Sequence, residues 1–318
     1  MDVGPNRDLI MTKVRFKLKD DLSIAVRETG LKFGLYHSLF EWFNFLFISD
    51  RNSGFKQQYF PKTKTLPELY DIVNTYKPEV IWSDGDGGGD DEYWNSRYFL
   101  QWLYNESPVK ETVVTNDRWG SNTLCKHGGY WTCTDRFIPG KLLPRKWENA
   151  MTLDKNSWGY NRLSHINDYL TIDELLKTMA QTVSFGGNLL VNVGPTSDGR
   201  IVPIMEERLL QMGEWLGLNG EAIYKSKPWK YQNDTQTANV WYTSDKTSST
   251  VYAIFFNWPE NKVLSLASIA ATNTTTISLI TKNGDLRLKW IKSSQTTDIT
   301  LPIIPPCNWA YTLKIEDY

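Results

Sequence analysis

Long apolar runs are missing from this sequence. No stretch reaches the ~18 consecutive apolar residues that a membrane-crossing helix requires, so no span is predicted. The opening residues, MDVGPNRDLIMTKV, lack the apolar core of a signal peptide, and nothing read there directs export. A charge excess is missing too: 35 Lys and Arg stand against 36 Asp and Glu. That balance removes the electrostatic case for nucleic acid or an anionic membrane as partner. Cysteine is scarce, with Cys125 and Cys133 close enough to bridge a loop and Cys307 left over. Three free thiols fit the same spacing equally well. Internal repeats and low-complexity linkers are also absent.

Aromatics are plentiful, with 14 Trp and 16 Tyr. Indole and phenol faces serve a core, and they also stack on the apolar faces of sugar rings. Asn-x-Ser/Thr triplets at Asn105, Asn233 and Asn273 suit surface glycosylation in a protein of the secretory route.

Two grammars divide the chain. Through residue 228, short apolar runs alternate with amphipathic helical segments. LKFGLYHSLF, EVIWSD, ETVVTND and NLLVNVGP read as strands, the last as a buried one. TLPELYDIVNTY and TIDELLKTMAQTV read as helices opened by capping boxes, Thr65 with Glu68 and Thr171 with Glu174. Continuously apolar strands separated by helices imply a parallel sheet covered by helices. From 229 to 318 the period changes to two, as in STVYAIFFNW and WAYTLKI, which predicts an antiparallel β-sandwich. Asn283-Gly284 reads as a two-residue hairpin turn there.

In a (β/α) barrel, reactive groups sit at the C-terminal ends of the strands. Those ends carry Tyr36-His37-Ser38, Glu41-Trp42, Trp82-Ser83-Asp84, Asn116-Asp117-Arg118-Trp119 and Trp147-Glu148. Carboxylates, one Arg, one His and several Trp suit glycoside hydrolysis, which needs two carboxyl groups and aromatic walls. The stretch PEVIWSDGDGGGDDEYWN invites a calcium reading, which fails: Gly88 holds the fifth loop position and Asn95 the twelfth, where a bidentate Glu belongs. Asp86, Asp90, Asp91 and Glu92 read as a surface turn. Asp84 does not, because it directly follows the buried run.

These motifs resemble the retaining α-L-fucosidases, in particular the animal tissue and plasma enzymes. The resemblance runs through DVGPNRDL, FGLYHSLFEWF, IWSDG, NDRWG, KWENAMTLDKNSWGYN, SFGGNLLVNVGPTSDGRIVPI and VYAIFFNWPEN, nearly the whole chain. It implies a TIM-like (β/α)8 barrel over residues 1–228, of which about the last five βα units are present, followed by the sandwich at 229–318. It also implies release of terminal α-L-fucose from glycoproteins and glycolipids by double displacement, with no metal or other cofactor. Fucosylated glycans are the implied partners, a homo-oligomer is compatible with the family, and the implied location is lysosomal or secreted. By the resemblance Asp84 is the nucleophile. Asp135, in YWTCTDRF, is the preferred acid/base, and Glu148, in KWE, its rival. His37, Trp82, Arg118 and His127 are the implied substrate-binding residues, and His165 is assigned to the surface.

The family barrel begins upstream of DVGPNRDL, with βα units that supply further fucose-binding residues. Here five strands are predicted, near 33–38, 79–83, 112–116, 145–151 and 188–194. MTKVRFKLKD departs from the family as an insertion. Lys13, Arg15, Lys17 and Lys19 alternate in it, as in an amphipathic strand or at the seam of a misjoined exon. Two readings follow: an α-L-fucosidase, or a catalytically inactive glycan-binding or vestigial fragment of one.

Overall fold

The computed structural model describes residues 9–12 and 19–318, which fall into two compact units. Of the expected alternation, Lys13, Arg15 and Lys17 lie outside the described residues, and Lys19 is the first residue of a helix rather than part of a strand. Among the described residues the first unit comprises 9–12, 19–135 and Arg145–Trp147. Its sheet holds β1 (Leu9–Thr12), β2 (Lys32–Ser38), β3 (Val80–Asp84) and β4 (Val114–Thr115), all parallel and in that order. Parallel neighbours need a crossover. Helix α1 (Lys19–Glu28) lies between β1 and β2, helices α2 (Phe45–Asn52) and α3 (Leu66–Tyr76) carry the chain from β2 to β3, and α4 (Ser96–Asn105) carries it from β3 to β4. Phe33, Leu35 and Ile81 of the strands meet Phe47, Leu69, Val73 and Phe99 of these helices in one core. Each such side chain contributes about 1.5–3 kcal/mol by leaving water.

The capping box expected at Thr65 and Glu68 is not formed. A π-helical turn, Pro61–Thr65, precedes α3, so Thr65 is already helical at φ −58° and cannot act as a cap. Its hydroxyl donates to the Leu39 carbonyl at 2.8 Å, while Glu68 is drawn to Lys64 and His37. The box at Thr171 and Glu174 is complete, with reciprocal bonds of 3.2 and 2.8 Å.

Among the described residues the second unit comprises Arg136–Pro144 and Glu148–Tyr318. It takes up β5 (Trp147–Thr152) from Glu148 onward, with its partner β6 (Gly187–Asn192) and helices α5 (Ile172–Ser184) and α6 (Pro203–Asn219). β6 is half-buried rather than buried, because β5 is its one strand neighbour among the described residues. All five expected strands are therefore present, and β1 is a sixth.

The remaining strands are β7 (Ser226–Asn233), β8 (Val240–Asp245), β9 (Val251–Phe255), β10 (Val263–Leu266), β11 (Thr276–Leu279), β12 (Leu286–Arg287), β13 (Lys289–Lys292), β14 (Thr297–Thr300) and β15 (Tyr311–Glu316). They form two antiparallel sheets, β12-β11-β15-β9-β8-β7 and β10-β14-β13. Tyr242, Phe255, Leu266, Ile299 and Leu313 of both sheets share one core. The other face of the larger sheet receives the helices: Leu175, Met179 and Trp215 pack with Tyr252 and Ile254, and the Trp215 indole donates to the Ala310 carbonyl at 2.9 Å. The hairpin at Asn283-Gly284 is wider than expected. Leu279 pairs with Leu286, and the turn within that loop is closed by Gly284 N–H on the Thr281 carbonyl at 3.1 Å. Ile280 is held elsewhere, donating to Thr312 at 3.0 Å, so a two-residue turn cannot close.

Candidate active site

Strands β2 and β3 place Tyr36 beside Trp82, His37 beside Ser83 and Ser38 beside Asp84. Side chains alternate faces along a strand, so Tyr36, Trp82 and Asp84 share one face, and His37 belongs to the other. On the first face the Tyr36 hydroxyl donates to Asp84 Oδ2 at 2.5 Å, and its ring stacks on Trp82 at 5.6 Å. Burial, followed by the Asp84 charge and hydrogen bond, pushes the Tyr36 phenol well above its ordinary pKa. Tyr36 therefore stays a neutral donor. Tyr36 stands at a strand end in the sequence, but only the register beside Trp82 gives it a part in the site.

Arg118 arrives on the loop after β4. The Asn116 carboxamide bridges to Ser83 N–H at 3.0 Å and the Ser83 carbonyl at 2.8 Å, and Gly85 N–H donates to the Arg118 carbonyl at 2.9 Å. A side chain at Gly85 would come within 2.4 Å of Leu39 and 3.1 Å of that carbonyl, so the close approach requires glycine after Asp84. The buried Arg118 guanidinium then serves two carboxylates. Nη1 lies 3.5 Å from Asp84 Oδ1, and Nη2 donates to Asp135 Oδ1 at 2.7 Å. Its carbon sits 4.8 Å from the Trp82 ring centroid, a cation–π contact. Burial opposes the charge on Arg118, but the Asp135 hydrogen bond and the charges of Asp135, Asp86 and Asp84 outweigh it and raise its pKa.

Asp117, fully buried, organises the loop that ends in Asp135. Its Oδ1 accepts from Thr132 N–H at 2.9 Å and the Thr132 hydroxyl at 2.6 Å. Its Oδ2 accepts from Cys125 N–H at 2.8 Å and Cys133 N–H at 3.2 Å. Cys125 and Cys133 form a disulfide, with Cα atoms 4.9 Å apart, and Cys307 is free. Asp117, Cys125 and Cys133 gather closely enough to suggest a metal site. The donor set does not fit one, because the sulfurs are spent in the disulfide and the carboxylate already accepts four hydrogen bonds. Gly128, at φ +96°, passes so near the Asn116 carbonyl that a Cβ would lie 2.3 Å from it.

The structure thus brings together Asp84, Trp82, Arg118 and Asp135, and adds Tyr36. It turns His37 toward the helix layer, with Nε2 at 3.2 Å from Glu68 and Nδ1 buried without a hydrogen-bond partner. The His37 contact, aided by Lys64, overcomes burial and holds the Glu68 carboxyl down at about 2. His127 is exposed on the Asp135 loop, and His165 is exposed in the second unit. Glu148, also in the second unit, is buried and accepts from Asn188 Nδ2 at 2.8 Å. Asn105, Asn233 and Asn273 are all exposed.

The surface-turn reading of the acidic stretch needs correction at two positions. Asp91 is buried, held by Arg97 and by Asn122 at 2.7 Å, and these bonds outweigh burial to lower its pKa. Asp86 is half-buried near Asp84, and its pKa is raised, first by burial, with the Arg118 charge opposing and the Asp84 charge adding. Asp90 and Glu92 are exposed. A cavity of about 550 Å³ lined by Ser23, Arg27, Tyr76 and Glu79 is a separate feature. It sits at the N-terminal ends of β2 and β3, where Glu79 bonds Arg27 and Phe33, away from the groups just described.

Known proteins bear on this arrangement. The family model "Alpha-L-fucosidase" matches residues 1–221, and "Alpha-L-fucosidase C-terminal domain" matches 232–316. The chain is 54% identical to the plasma alpha-L-fucosidase of Rattus norvegicus, over 100% of this chain and 68% of that one. It is 50% identical to the tissue alpha-L-fucosidase of Homo sapiens, over 99% and 66%. It thus spans about two thirds of the length of these relatives. The Thermotoga maritima alpha-fucosidase in complex with a mechanism based inhibitor superposes with a TM-score of 0.77 at 28% identity, covering 95% of this chain and 68% of that one. The same enzyme in complex with fucose gives 0.76 at 27%, covering 94% and 68%. With a catalytic-domain match followed by a β domain match, and with half of its residues shared with the animal enzymes, the chain belongs to the alpha-L-fucosidase family.

Proposed function

We propose that this chain hydrolyses terminal α-L-fucosides of glycoproteins and glycolipids with retention of configuration. Asp84 attacks the anomeric carbon and forms a fucosyl ester. Asp135 gives a proton to the departing oxygen, then takes one from the water that cleaves the ester. Tyr36 and Arg118 hold Asp84 as an aimed carboxylate, and Trp82 walls the sugar. The supporting observation is the single guanidinium that touches both Asp84 and Asp135. Two carboxylates on one cation are held close, which suits the narrow spacing of double displacement, about 5–5.5 Å. Asp135 is preferred over Glu148 because a donor must meet the leaving group. The Asp135 side chain is 44% exposed, whereas Glu148 is 3% exposed.

The parallel sheet and its crossover helices are assigned to a (β/α)8 barrel at residues 1–228, with the β domain at 229–318. The exposed Asn105, Asn233 and Asn273 suit glycosylation of a lysosomal or secreted protein. The test is hydrolysis of an aryl α-L-fucoside by the purified chain beside Asp84→Ala, with the anomer first released read by NMR. Retained configuration, and turnover lost in the variant, support the reading. Full turnover by Asp84→Ala refutes the nucleophile. Fucose binding without turnover favours a glycan-binding chain instead.

A further inference from the structure

We infer that the Cys125–Cys133 disulfide and Asp117 form a clamp that aims the Asp135 carboxyl, so that reducing this one bond disables proton donation while sparing the nucleophile. The inference rests on Asp135 being the donor, as proposed above. Between β4 and Asp135 the chain runs through an irregular loop, whose middle is tied down by Gly129 and Tyr130 N–H on the Thr115 carbonyl at 2.9 and 3.2 Å, while the segment that ends in Asp135 is gathered by side chains. Asp117 gathers the N–H groups of Cys125, Thr132 and Cys133. The Thr132 hydroxyl, while donating to Asp117, accepts from Arg118 Nε at 3.1 Å. Arg118 in turn bonds Asp135 at 2.7 Å, two residues beyond Cys133.

Both cysteines and Arg136 hold left-handed backbone angles, φ 56°, 52° and 54°. Such angles are unfavourable for non-glycine residues, so the loop keeps this path only while it is over-determined. The cross-link is the exposed part of that restraint: Cys125 is at the surface, whereas Asp117, Thr132 and Cys133 are buried. A dithiol reductant would attack the Cys125 sulfur and release Cys133 as a thiol. Its second thiol then frees Cys125. Two electrons and two protons pass to the cysteine pair, and the reductant leaves as its own disulfide. With the bridge open, both cysteines can relax to ordinary angles, which withdraws their N–H groups from Asp117 and unseats Thr132 and Asp135. Asp84, on β3 with Tyr36 beside it, keeps its place.

The test compares oxidised and dithiothreitol-reduced chain on aryl α-L-fucosides with strongly and weakly acidic phenols as leaving groups. Protonation assists only the weakly acidic phenol appreciably, and general acid help amounts to about 10²–10⁴-fold. Reduction is expected to cut kcat/KM for that substrate at least about tenfold and to change the activated one less than about twofold. Equal losses on both, or none, overturn the inference. Hydrogen exchange supplies a readout that needs no turnover. Thr132 and Cys133 amides are expected to lose protection on reduction while Lys32–Ser38 and Val80–Asp84 keep theirs. Unchanged protection, or loss shared by those strands, overturns the clamp. Failure of the donor reading looks different: oxidised Asp135→Asn then loses no more activity on the weakly acidic phenol than on the strongly acidic one, whatever the exchange data say.

Discussion

A tyrosine–aspartate pair in the β domain and another in the first unit show how differently the same chemistry is used. In the β domain Tyr242 donates to Asp234 Oδ2 at 2.7 Å, and the carboxylate also accepts from the backbone of Gln236 at 2.8 Å, Thr237 at 2.9 Å and Ser268 at 3.0 Å. Every direction is filled and Asp234 is buried, so the group is a structural knot. Burial alone would raise its pKa, but these donors prevail and hold it below the ordinary carboxylate range. In the first unit Tyr36 donates to Asp84 at 2.5 Å, yet its other partners are a guanidinium at 3.5 Å and the side chain of Asp86, neither of them a backbone donor, and the side chain is 27% exposed. A saturated carboxylate stabilises a fold. An aimed but unsaturated one is free to meet a substrate.

The sharpest break between them is removal of each carboxylate. Asp84→Ala is expected to lower kcat by at least about 10³-fold with little change in the urea midpoint, measured on an aryl fucoside and by equilibrium unfolding. Asp234→Asn is expected to do the reverse, leaving kcat within about twofold and costing about 2–4 kcal/mol of stability, because buried N–H donors lose their acceptor. Removing the hydroxyls tests the same contrast more gently. Tyr36→Phe should lower kcat about 10–100-fold, and Tyr242→Phe should cost about 1–2 kcal/mol and spare turnover. Activity lost in Tyr242→Phe but kept in Tyr36→Phe would invert the comparison.

The smallest expected effect concerns pH. Folded Glu68 sits at about 2 against an ordinary 4.5, so its stabilising contribution is complete above about pH 4.5 and is lost as pH falls toward 2. Urea unfolding of wild type and Glu68→Gln at about pH 6 and pH 3 should show wild type losing about 1–2 kcal/mol more on acidification. Equal losses would mean that the His37 and Lys64 contacts add nothing.

How much of this was legible depends on the range of the interactions involved. The capping box at Thr171 and Glu174 was readable because both partners lie within one helical turn. The same spelling at Thr65 and Glu68 failed because the hydroxyl found Leu39 and the carboxylate found His37 and Lys64, all outside the box. His37 was expected in the pocket, and strand alternation turned it to the opposite face. Asp86 and Asp91 looked like surface charges among glycines, and packing enclosed them.

The sequence by itself determined the succession of strands and helices, the change of period near residue 229, the family, and the candidates Asp84, Arg118 and Asp135. Local spacing and residue chemistry carry those. Only the tertiary structure decided that one guanidinium serves both carboxylates, that Tyr36 completes the group, and that Asp117 with the disulfide orders the loop leading to Asp135. Those contacts join positions 8 to 48 residues apart, as in Asp117 to Cys125 and Tyr36 to Asp84. Such pairings arise from strand register and close packing, and no local pattern encodes them.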